Sequence, residues 1–334
     1  MRSTSKERVC LVTGGAGFIG SHLVERLLGR GDRVVVIDDL STGRRENLHD
    51  ADTSRLSLIT AGVSEGLGGF GPGAFDEIFH LAAAVGVRLV IDEPIRTIET
   101  NVSETATVLD FAARTATPIL VASTSEVYGK STKTPFAEDD DVVYGPTVLS
   151  RWSYACSKAI DEYLALGHHR QSGLPVAIVR FFNIVGPRQV GTWGMVLPRF
   201  VGAALRGDSL EVYGDGRQSR CFCDVRDVVE VLPRILAAPQ CHGRVLNLGS
   251  DEPIEIRALA ELVLDTLGSD SPIVHLSYEQ AFGEGFDDLR ERRPDLTRIR
   301  EATGFRSRVS LVQTIRDLAA ELRQGAASSL ESTV

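Results

Sequence analysis

The sequence predicts an α/β fold, a doubly wound parallel sheet of the Rossmann type with a smaller C-terminal α/β lobe. Short apolar runs rich in β-branched residues alternate with helical patterns over the first half of the chain, which is typical of βαβ units. A glycine-rich turn, TGGAGFIG, follows the first run and opens a helix. The alternation stops after residue 183, where proline and glycine become frequent and the strands shorten.

These observations divide the chain into two parts. Residues 1–183 are expected to form the Rossmann-type domain, and a segment near 223–250 is expected to return to its sheet. Residues 184–334 are expected to form mainly a lobe that holds the substrate. Because ligands of open α/β sheets bind at the carboxyl ends of the strands, we expect the site beneath this lobe.

Each predicted strand is a continuous apolar run, as expected for a strand that is covered on both faces. The strands are VCLVT (9–13), RVVVID (33–38), LSLIT (56–60), FDEIFHLA (75–82), PILVAST (118–124), LPVAIVRFF (174–182) and RVLNLGS (244–250). The first helix is expected to end at Gly31, and two longer helices are expected at about 92–115 and 151–171. The glycine-rich segment 61–73 is expected to be a surface loop.

Composition excludes several classes of protein. The net charge of −9 over 334 residues argues against a nucleic-acid partner, which favours a basic face. No apolar run approaches the roughly 20 residues that a membrane span needs, and the polar lead before the first strand does not resemble a signal peptide. The five cysteines include no CxxC pair, so we expect no metal site, no disulfide framework and a reducing, cytoplasmic location.

The glycine-rich turn predicts a dinucleotide site. Gly14, Gly17 and Gly20 allow a tight turn and a close approach of the backbone to a pyrophosphate at the helix N-terminus. Asp38 ends the second strand, where its carboxylate accepts hydrogen bonds from an adenosine ribose and disfavours a 2′-phosphate. We therefore expect NAD rather than NADP, although Arg44 and Arg45 lie nearby. The other residues expected to contact NAD are Phe18, Ile19, Leu81, Ala82 and Lys158.

Tyr154 and Lys158 stand four residues apart in WSYACSK and share one face of a predicted helix. An ammonium near a phenol favours the phenolate and lowers the pKa of the phenol from its usual value of about 10. Beside a nicotinamide, such a pair can take a proton from an alcohol while a hydride leaves the same carbon. His80 is expected to be structural.

Several ordered motifs resemble those of the extended short-chain dehydrogenase/reductase family, which contains the nucleotide-sugar epimerases, dehydratases and decarboxylases. The motifs are TGGAGFIGSHL, HLAA (80–83), STSEVYG (123–129), YACSK (154–158), RFFNIVGPR (180–188) and YGDGRQSRCF (213–222). The resemblance implies NAD held through each turnover, a UDP-sugar substrate, and a homodimer built on a four-helix bundle of the helices near 92–115 and 151–171. The acidic adenine contact of many relatives is absent from TAGVSEG (60–66), which leaves that contact to the backbone or removes it.

Thr124, Ser125 and Glu126 distinguish the reactions of this family. The 4,6-dehydratases have an Asp-Glu pair at the last two positions, and the serine here disfavours dehydration. Simple 4-epimerases need no second acid or base, so Glu126 is surplus to epimerisation. TSEVYG, the RW-x-Y segment and RERRPDLTRI (290–299) are instead similar to UDP-glucuronic acid decarboxylases, and the last motif places Arg292 at their catalytic arginine.

The resemblance implies decarboxylation of UDP-glucuronic acid through a C4-keto intermediate, giving UDP-xylose or a UDP-4-keto-pentose. Tyr154 removes the 4-hydroxyl proton, Thr124 or Ser125 binds the C4 oxygen, Glu126 orients the sugar or a water, and Arg292 holds the carboxylate. The residues expected to bind the rest of the substrate are Asn183, Arg188, Tyr213 and Arg220. Two alternatives remain: a 4-epimerase of UDP-hexoses or UDP-hexuronic acids, and a non-catalytic NAD-binding regulator.

Overall fold

The computed structural model describes residues 7–49, 51–52, 54–84, 92–191, 195–282 and 289–331. Most of the polar lead before the first strand, residues 1–6, therefore lies outside the described residues. No helix within the described ranges combines the length and the apolar character that crossing a membrane requires.

The strands predicted from sequence form at the expected places, and further short strands follow them. The strands are β1 (Val9–Thr13), β2 (Arg33–Asp38), β3 (Leu56–Thr60), β4 (Glu77–His80), β5 (Ile119–Thr124), β6 (Val176–Phe181), β7 (Ile184–Val185), β8 (Leu210–Tyr213), β9 (Ser219–Cys221), β10 (Cys223–Asp224), β11 (Arg244–Leu248), β12 (Pro253–Glu255), β13 (Ile273–Leu276) and β14 (Glu291–Arg292).

The helices lie between these strands and cover both faces of the main sheet. They are α1 (Phe18–Arg30), α2 (Val63–Gly66), α3 (Pro94–Thr115), α4 (Ser153–Ser172), α5 (Val196–Arg206), α6 (Val225–Ala237), α7 (Ile256–Leu267), α8 (Tyr278–Phe282), α9 (Thr297–Thr303) and α10 (Leu311–Glu331). As predicted, α1 ends at Gly31, which adopts the left-handed conformation with φ 98° and caps the helix.

Within the described residues the main sheet has seven strands, in the order β11-β6-β5-β4-β1-β2-β3. All its pairings are parallel, and Thr13 of β1 lies opposite His80 of β4. Between β1 and β4 the strand order reverses, which opens a crevice at their carboxyl ends. The doubly wound sheet is thus confirmed, and β11 is the strand that returns to it from the second half of the chain.

Apolar side chains fill a layer on each face of the sheet. One layer joins the sheet to α1 and α6 through residues such as Leu23 and Leu232. The other joins it to α3 and α4 through residues such as Leu109 and Ala165. A third core holds α5, α7 and α10 together with β8 in the second half of the chain. The division at residue 183 stays a prediction, since α6 and β11 belong to the core of the sheet.

The segment 61–73 differs from the surface loop that its glycines predicted. It contains helix α2, and both Val63 and Leu67 are buried against the sheet. A Cβ on Gly66 would lie 2.6 Å from Cγ2 of Ile37, so this glycine allows the helix to pack directly on β2. The remainder of the segment, from 68 to 73, is largely exposed.

Helix α4 is fixed to the sheet by a buried ion pair. Arg180 of β6 donates to Glu162 of α4 through Nε at 2.9 Å and Nη2 at 2.7 Å, and both side chains are less than a tenth exposed. Ser123 of β5 donates to the same carboxylate at 2.5 Å. The guanidinium also lies 4.6 Å from the ring centre of Tyr128. This bidentate pair therefore sets the position of α4 over the ends of β5 and β6.

We expect Glu162→Gln to lower the free energy of unfolding by about 3–5 kcal/mol, because it leaves the Arg180 guanidinium buried without its counter-charge. Urea denaturation followed by circular dichroism measures this change. Glu261→Gln is the matched control: it breaks the exposed Arg257–Glu261 pair and should change stability by less than about 0.5 kcal/mol. Equal, small effects of the two substitutions would contradict the role given to the buried pair.

Candidate active site

A cavity of about 700 Å³ lies at the carboxyl edge of the sheet, between the sheet and the second half of the chain. Every residue predicted from sequence to serve the site lines this cavity. They are Gly14, Gly17, Phe18, Ile19, Gly20, Asp38, Leu81, Ala82, Thr124, Ser125, Glu126, Tyr154, Lys158, Asn183, Arg188, Tyr213, Arg220 and Arg292. The fold therefore brings the whole predicted set together, although their individual roles stay predictions.

The glycine-rich turn is shaped as a cradle that side chains would fill. Gly14 has φ +71°, and a Cβ there would lie 2.7 Å from the backbone nitrogen of Ala82. A Cβ on Gly20 would lie 2.1 Å from the carbonyl oxygen of Gly14. The first turn of α1 carries no acidic side chain, so the positive end of the helix dipole is left for a pyrophosphate. The turn fits a dinucleotide.

Asp38 is buried at the end of β2 and is oriented by two backbone groups. Oδ2 accepts from the nitrogen of Ala16 and Oδ1 from the nitrogen of Leu40, both at 2.9 Å. Burial raises the pKa of this carboxyl, and these two hydrogen bonds oppose that shift. Among the described residues that line the cavity, neither Arg44 nor Arg45 is present, so the ribose end carries the carboxylate without these arginines.

His80 has the structural role expected of it. Its Nδ1 lies 2.8 Å from Oγ1 of Thr13, and its Nε2 lies 3.0 Å from Oγ1 of Thr105. Burial, and secondly the charge of Lys158, lower the pKa of this imidazole to about 3, so the ring is neutral. These bonds hold the HLAA segment where Leu81 borders the cavity.

Tyr154 and Lys158 project from the first turns of α4 toward the end of β5. The phenol hydroxyl of Tyr154 is hydrogen-bonded to the side chain of Thr124. Lys158 is 2% exposed, and its Nζ donates to Oδ2 of Asp161 at 2.7 Å. The carboxylate of Asp161, about one turn further along the helix, thus holds the ammonium and is itself fully buried.

The electrostatics of Tyr154 differ from the sequence-based expectation. Its pKa lies above the usual value of a phenol, because burial, and then the charges of Glu126 and Asp161, disfavour the phenolate. The hydrogen bond from Thr124 lowers the pKa only partly. Lys158 is not among the groups that lower this pKa, and its ammonium is hydrogen-bonded to Asp161.

Glu126 and Arg292 form an ion pair in the same cavity. Nη1 of Arg292 donates to Oε1 of Glu126, and the two side chains are 8% and 16% exposed. The buried Nε of Arg292 has no hydrogen-bond partner among the residues that the structure describes. Strand β14 pairs with β9, which places Arg292 beside Arg220. The arginine predicted from RERR is therefore inside the cavity.

The remaining predicted substrate contacts are anchored by the protein around the cavity. Asn183 has φ 41° and donates from Nδ2 to the carbonyl of Cys221 at 3.0 Å. Arg220 donates from Nη1 to the carbonyls of Ser219 at 2.7 Å and Leu289 at 2.9 Å. These bonds fix the side chains in place before any substrate binds.

Tyr213 and Arg188 are held by charged neighbours. The guanidinium of Arg199 lies 4.6 Å from the ring centre of Tyr213, so one face of this ring is covered by the protein. Arg188 pairs through Nη2 with Glu25, and its backbone nitrogen donates to Glu321 at 2.7 Å.

Sequence reasoning missed two polar residues of the site. Asp161 follows Lys158 by three positions and shares its helix face, a spacing that was visible in the sequence. Asn47 donates from Nδ2 to the carbonyl of Ala16 at 2.8 Å and so fixes the glycine-rich turn from a distant loop. No sequence signal connects Asn47 with that turn.

Comparisons with known proteins agree with this geometry. Residues 10–249 match the model of the NAD dependent epimerase/dehydratase family. A UDP-N-acetyl-alpha-D-glucosaminuronate decarboxylase of Bacillus cytotoxicus is 42% identical over 92% of this chain and 95% of the relative. UDP-glucuronic acid decarboxylase 4 of Arabidopsis thaliana is 36% identical over 94% of this chain and 68% of the relative.

A solved structure with the same fold carries a dinucleotide. DesIV, a dTDP-glucose 4,6-dehydratase from Streptomyces venezuelae with NAD and TYD bound, is 31% identical to this chain with a TM-score of 0.83. The alignment covers 96% of this chain and 98% of that structure. The resemblance inferred from the sequence motifs is confirmed.

We expect Gly14→Ala to weaken NAD binding by roughly 5- to 150-fold, because the left-handed backbone and the Ala82 contact together cost of the order of 1–3 kcal/mol. Isothermal titration calorimetry measures the change. Gly29→Ala in α1 is the control, since nothing lies within 4 Å of a Cβ at that position. Unchanged affinity of a folded Gly14→Ala protein would contradict the claim that the glycine-rich turn binds NAD in the space left by its glycines.

Proposed function

The chain belongs to the NAD-dependent epimerase/dehydratase family, and from that premise we propose that it decarboxylates a UDP-hexuronic acid through a C4-keto intermediate. NAD is the cofactor, and the glycine-rich turn, Asp38 and the HLAA segment would hold it. The products are a UDP-pentose, UDP-xylose when the substrate is UDP-glucuronic acid, or the corresponding UDP-4-keto-pentose.

The observation that carries this proposal is a buried arginine in the same cavity as the Tyr154 hydroxyl. Arg292 keeps Nε without a partner among the described residues, and its planar guanidinium suits a carboxylate. Glu126 balances its charge while no substrate is bound. Epimerisation of a neutral hexose at C4 does not require this pair, because that substrate has no carboxylate for the arginine to bind.

Tyr154 and its neighbours would act at C4 of the sugar. When bound, NAD+ would supply the acceptor for the C4 hydride, and its reduced form would supply the hydride for the return step. The Tyr154 phenolate takes the proton of the 4-hydroxyl, and the Thr124 hydroxyl, already bonded to Tyr154, lies ready to donate to the C4 oxygen. Lys158 contributes a fixed positive charge behind the phenol.

Arg292 and Glu126 would act at C5 and C6. The 4-ketone makes the C6 carboxylate a β-keto acid, whose C5–C6 bond breaks with release of CO2 while the electron pair moves to the C4 oxygen. The hydroxyls of Thr124 and Ser125 stabilise that oxyanion. Arg292 holds the carboxylate before CO2 leaves, and Glu126 positions the sugar or a water for protonation of C5.

Two substrates satisfy this chemistry, and they differ only at C2 of the sugar. UDP-glucuronic acid carries a hydroxyl there and is the substrate predicted from sequence. The 42% identical relative is named for UDP-N-acetylglucosaminuronate, which carries an acetamido group. The residues named above contact C4, C5 and C6, which the two sugars share.

The test is incubation of the protein and NAD+ with each of the two UDP-uronic acids, followed by mass spectrometry of the nucleotide sugar. Loss of CO2 from either substrate supports the proposal and identifies the C2 group that the site accepts. Unchanged mass with a new chromatographic peak would establish the 4-epimerase instead. No turnover of uronic acids or hexoses, with NAD bound, would favour the non-catalytic regulator.

We expect Arg292→Gln to lower kcat for decarboxylation by about 10²–10³-fold, because one charged donor to the carboxylate is removed. NAD affinity, measured by calorimetry, should stay unchanged. The control is Arg290→Gln, which removes an arginine of the same motif whose side chain is 78% exposed. Wild-type turnover by Arg292→Gln would remove the argument for a carboxylate substrate.

We further propose that the chain forms a homodimer through α3 and α4. These two helices pack against each other, and each exposes large apolar side chains at i, i+3 spacing. The exposed fractions are 71% for Ile95, 40% for Ile98, 44% for Ile160 and 67% for Tyr163. A second copy of the same helix pair would bury them in a four-helix bundle.

Ile160→Glu is expected to convert the dimer into a monomer, because two charges would be buried near the two-fold axis without partners. Size-exclusion chromatography with light scattering measures the mass. Val148→Glu is the control, since Val148 is 87% exposed and precedes α4 in a loop. A dimer that survives Ile160→Glu, or a monomeric wild type, would exclude this interface.

We also propose a cytoplasmic location. All five cysteines are free, and four of them are buried as thiols. Burial raises the pKa of Cys221 and of Cys223 to about 12, which keeps these thiols protonated and unreactive.

A further inference from the structure

The ammonium of Lys158 has a partner that the proposed mechanism does not use. Lys158 and Asp161 are 2% and 0% exposed, and Nζ and Oδ2 are 2.7 Å apart. A buried charge is costly unless it is paired, so each of these side chains stabilises the charge of the other. The second oxygen of Asp161, Oδ1, is also buried and has no hydrogen-bond partner within the hydrogen-bond distance limit among the described residues.

A polar chain links this pair to the strand that carries the glycine-rich turn. Burial raises the pKa of the Asp161 carboxyl, and the Lys158 ammonium and then the side chain of Thr105 in α3 oppose that shift. The Thr105 hydroxyl is bonded to His80, whose other ring nitrogen is bonded to Thr13 at the end of β1. Since His80 is neutral, the chain adds no second positive charge next to Lys158.

The other ionisable groups that face Tyr154 and Lys158 are paired or uncharged. Glu126 is paired with Arg292, and its charge adds to that of Asp161 in disfavouring the Tyr154 phenolate. Glu162, on the same helix, is held by Arg180 and Ser123. Beside the neutral His80, Asp161 is the carboxylate that acts directly on the Lys158 ammonium.

We propose that Asp161 is a positioning residue, which anchors the Lys158 ammonium and sets the pH range in which Tyr154 holds its working charge. The proposal rests on the proposed function only in taking Tyr154 as the proton acceptor. Asp161 holds the ammonium of Lys158 inside the helix packing, and its own negative charge opposes formation of the Tyr154 phenolate. The carboxylate therefore places the working range of Tyr154 at higher pH than the site would have without it.

The sign of the expected change follows from the charge that is removed. Without Asp161, a negative charge no longer disfavours the phenolate, so the pKa of Tyr154 falls. Asp161→Asn should therefore move the limb of the pH–rate profile that reports ionisation of Tyr154 to lower pH, by roughly one pH unit.

The direct measurement is an ultraviolet titration of phenolate absorbance in the protein without NAD or substrate. The Tyr154 transition is obtained by subtracting the titration of Tyr154→Phe from that of the parent, in both the wild-type and the Asp161→Asn backgrounds. We expect this transition to lie about one pH unit lower in Asp161→Asn than in wild type. Asp161→Glu, which keeps the charge, should stay close to wild type.

Asp110→Asn is the matched control, since this aspartate of α3 is 68% exposed and lies 3.6 Å from His168, away from the cavity. Asp161→Ser is the second variant if Asp161→Asn does not fold, because its hydroxyl can still accept from the ammonium. An unshifted Tyr154 transition in either folded variant would overturn the proposal. Failure of both to fold, while Asp161→Glu folds, would make Asp161 a structural residue and overturn it too.

The titration separates this inference from the proposed function. The titration requires no substrate. A shifted phenol transition in a protein that does not decarboxylate would therefore support the proposed role of Asp161 and contradict the proposed reaction. Decarboxylation with an unshifted transition and an unshifted pH–rate profile would support the reaction and contradict the role of Asp161.

Discussion

The site depends on the way that α4 buries charge against a parallel sheet. Helices that cover such sheets normally present an apolar face, but α4 places Lys158, Asp161 and Glu162 in its buried face. Each charge is tolerated because a partner lies within hydrogen-bond distance, Asp161 for the lysine and Arg180 for the glutamate. Buried pairs of this kind add little net stability, but they penalise any other orientation of the helix. They therefore fix the direction in which Tyr154 points.

The sheet topology determines which segments of the chain lie around Tyr154. Since the strand order reverses between β1 and β4, the two chain segments that leave these strands diverge and open the crevice. The glycine-rich turn enters it from β1, and HLAA enters from β4. Strand β5 ends beside them and places the side chain of Thr124 within hydrogen-bond distance of the Tyr154 hydroxyl. The second half of the chain then closes the crevice with β9 and β14, which carry Arg220 and Arg292.

The features that could be predicted from the sequence are those that interactions between neighbouring residues determine. The strands of the main sheet were recognisable because burial on both faces requires uninterrupted apolar runs, and the glycine turn because only glycine fits at Gly14 and Gly20. The state of charge in the site was not predictable in this way. That Lys158 is engaged by Asp161, and that Tyr154 has a raised pKa, depend on burial and on distances that spacing does not give. Helix α2 was missed because its sequence, like that of a loop, is rich in glycine.

Two cationic side chains of the cavity, Arg292 and Lys158, are each paired with a carboxylate before any ligand binds. Arg292 is paired with Glu126 and Lys158 with Asp161, and the charges of the two carboxylates add to burial in disfavouring the Tyr154 phenolate. In the reaction proposed above, a substrate carboxylate would compete with Glu126 for Arg292 and would release Glu126 toward C5, where a proton must be delivered. Binding of the acidic sugar and delivery of that proton would then be coupled through one guanidinium. A neutral hexose would leave the Glu126–Arg292 pair intact, which is the physical argument for proposing a uronic acid as the substrate.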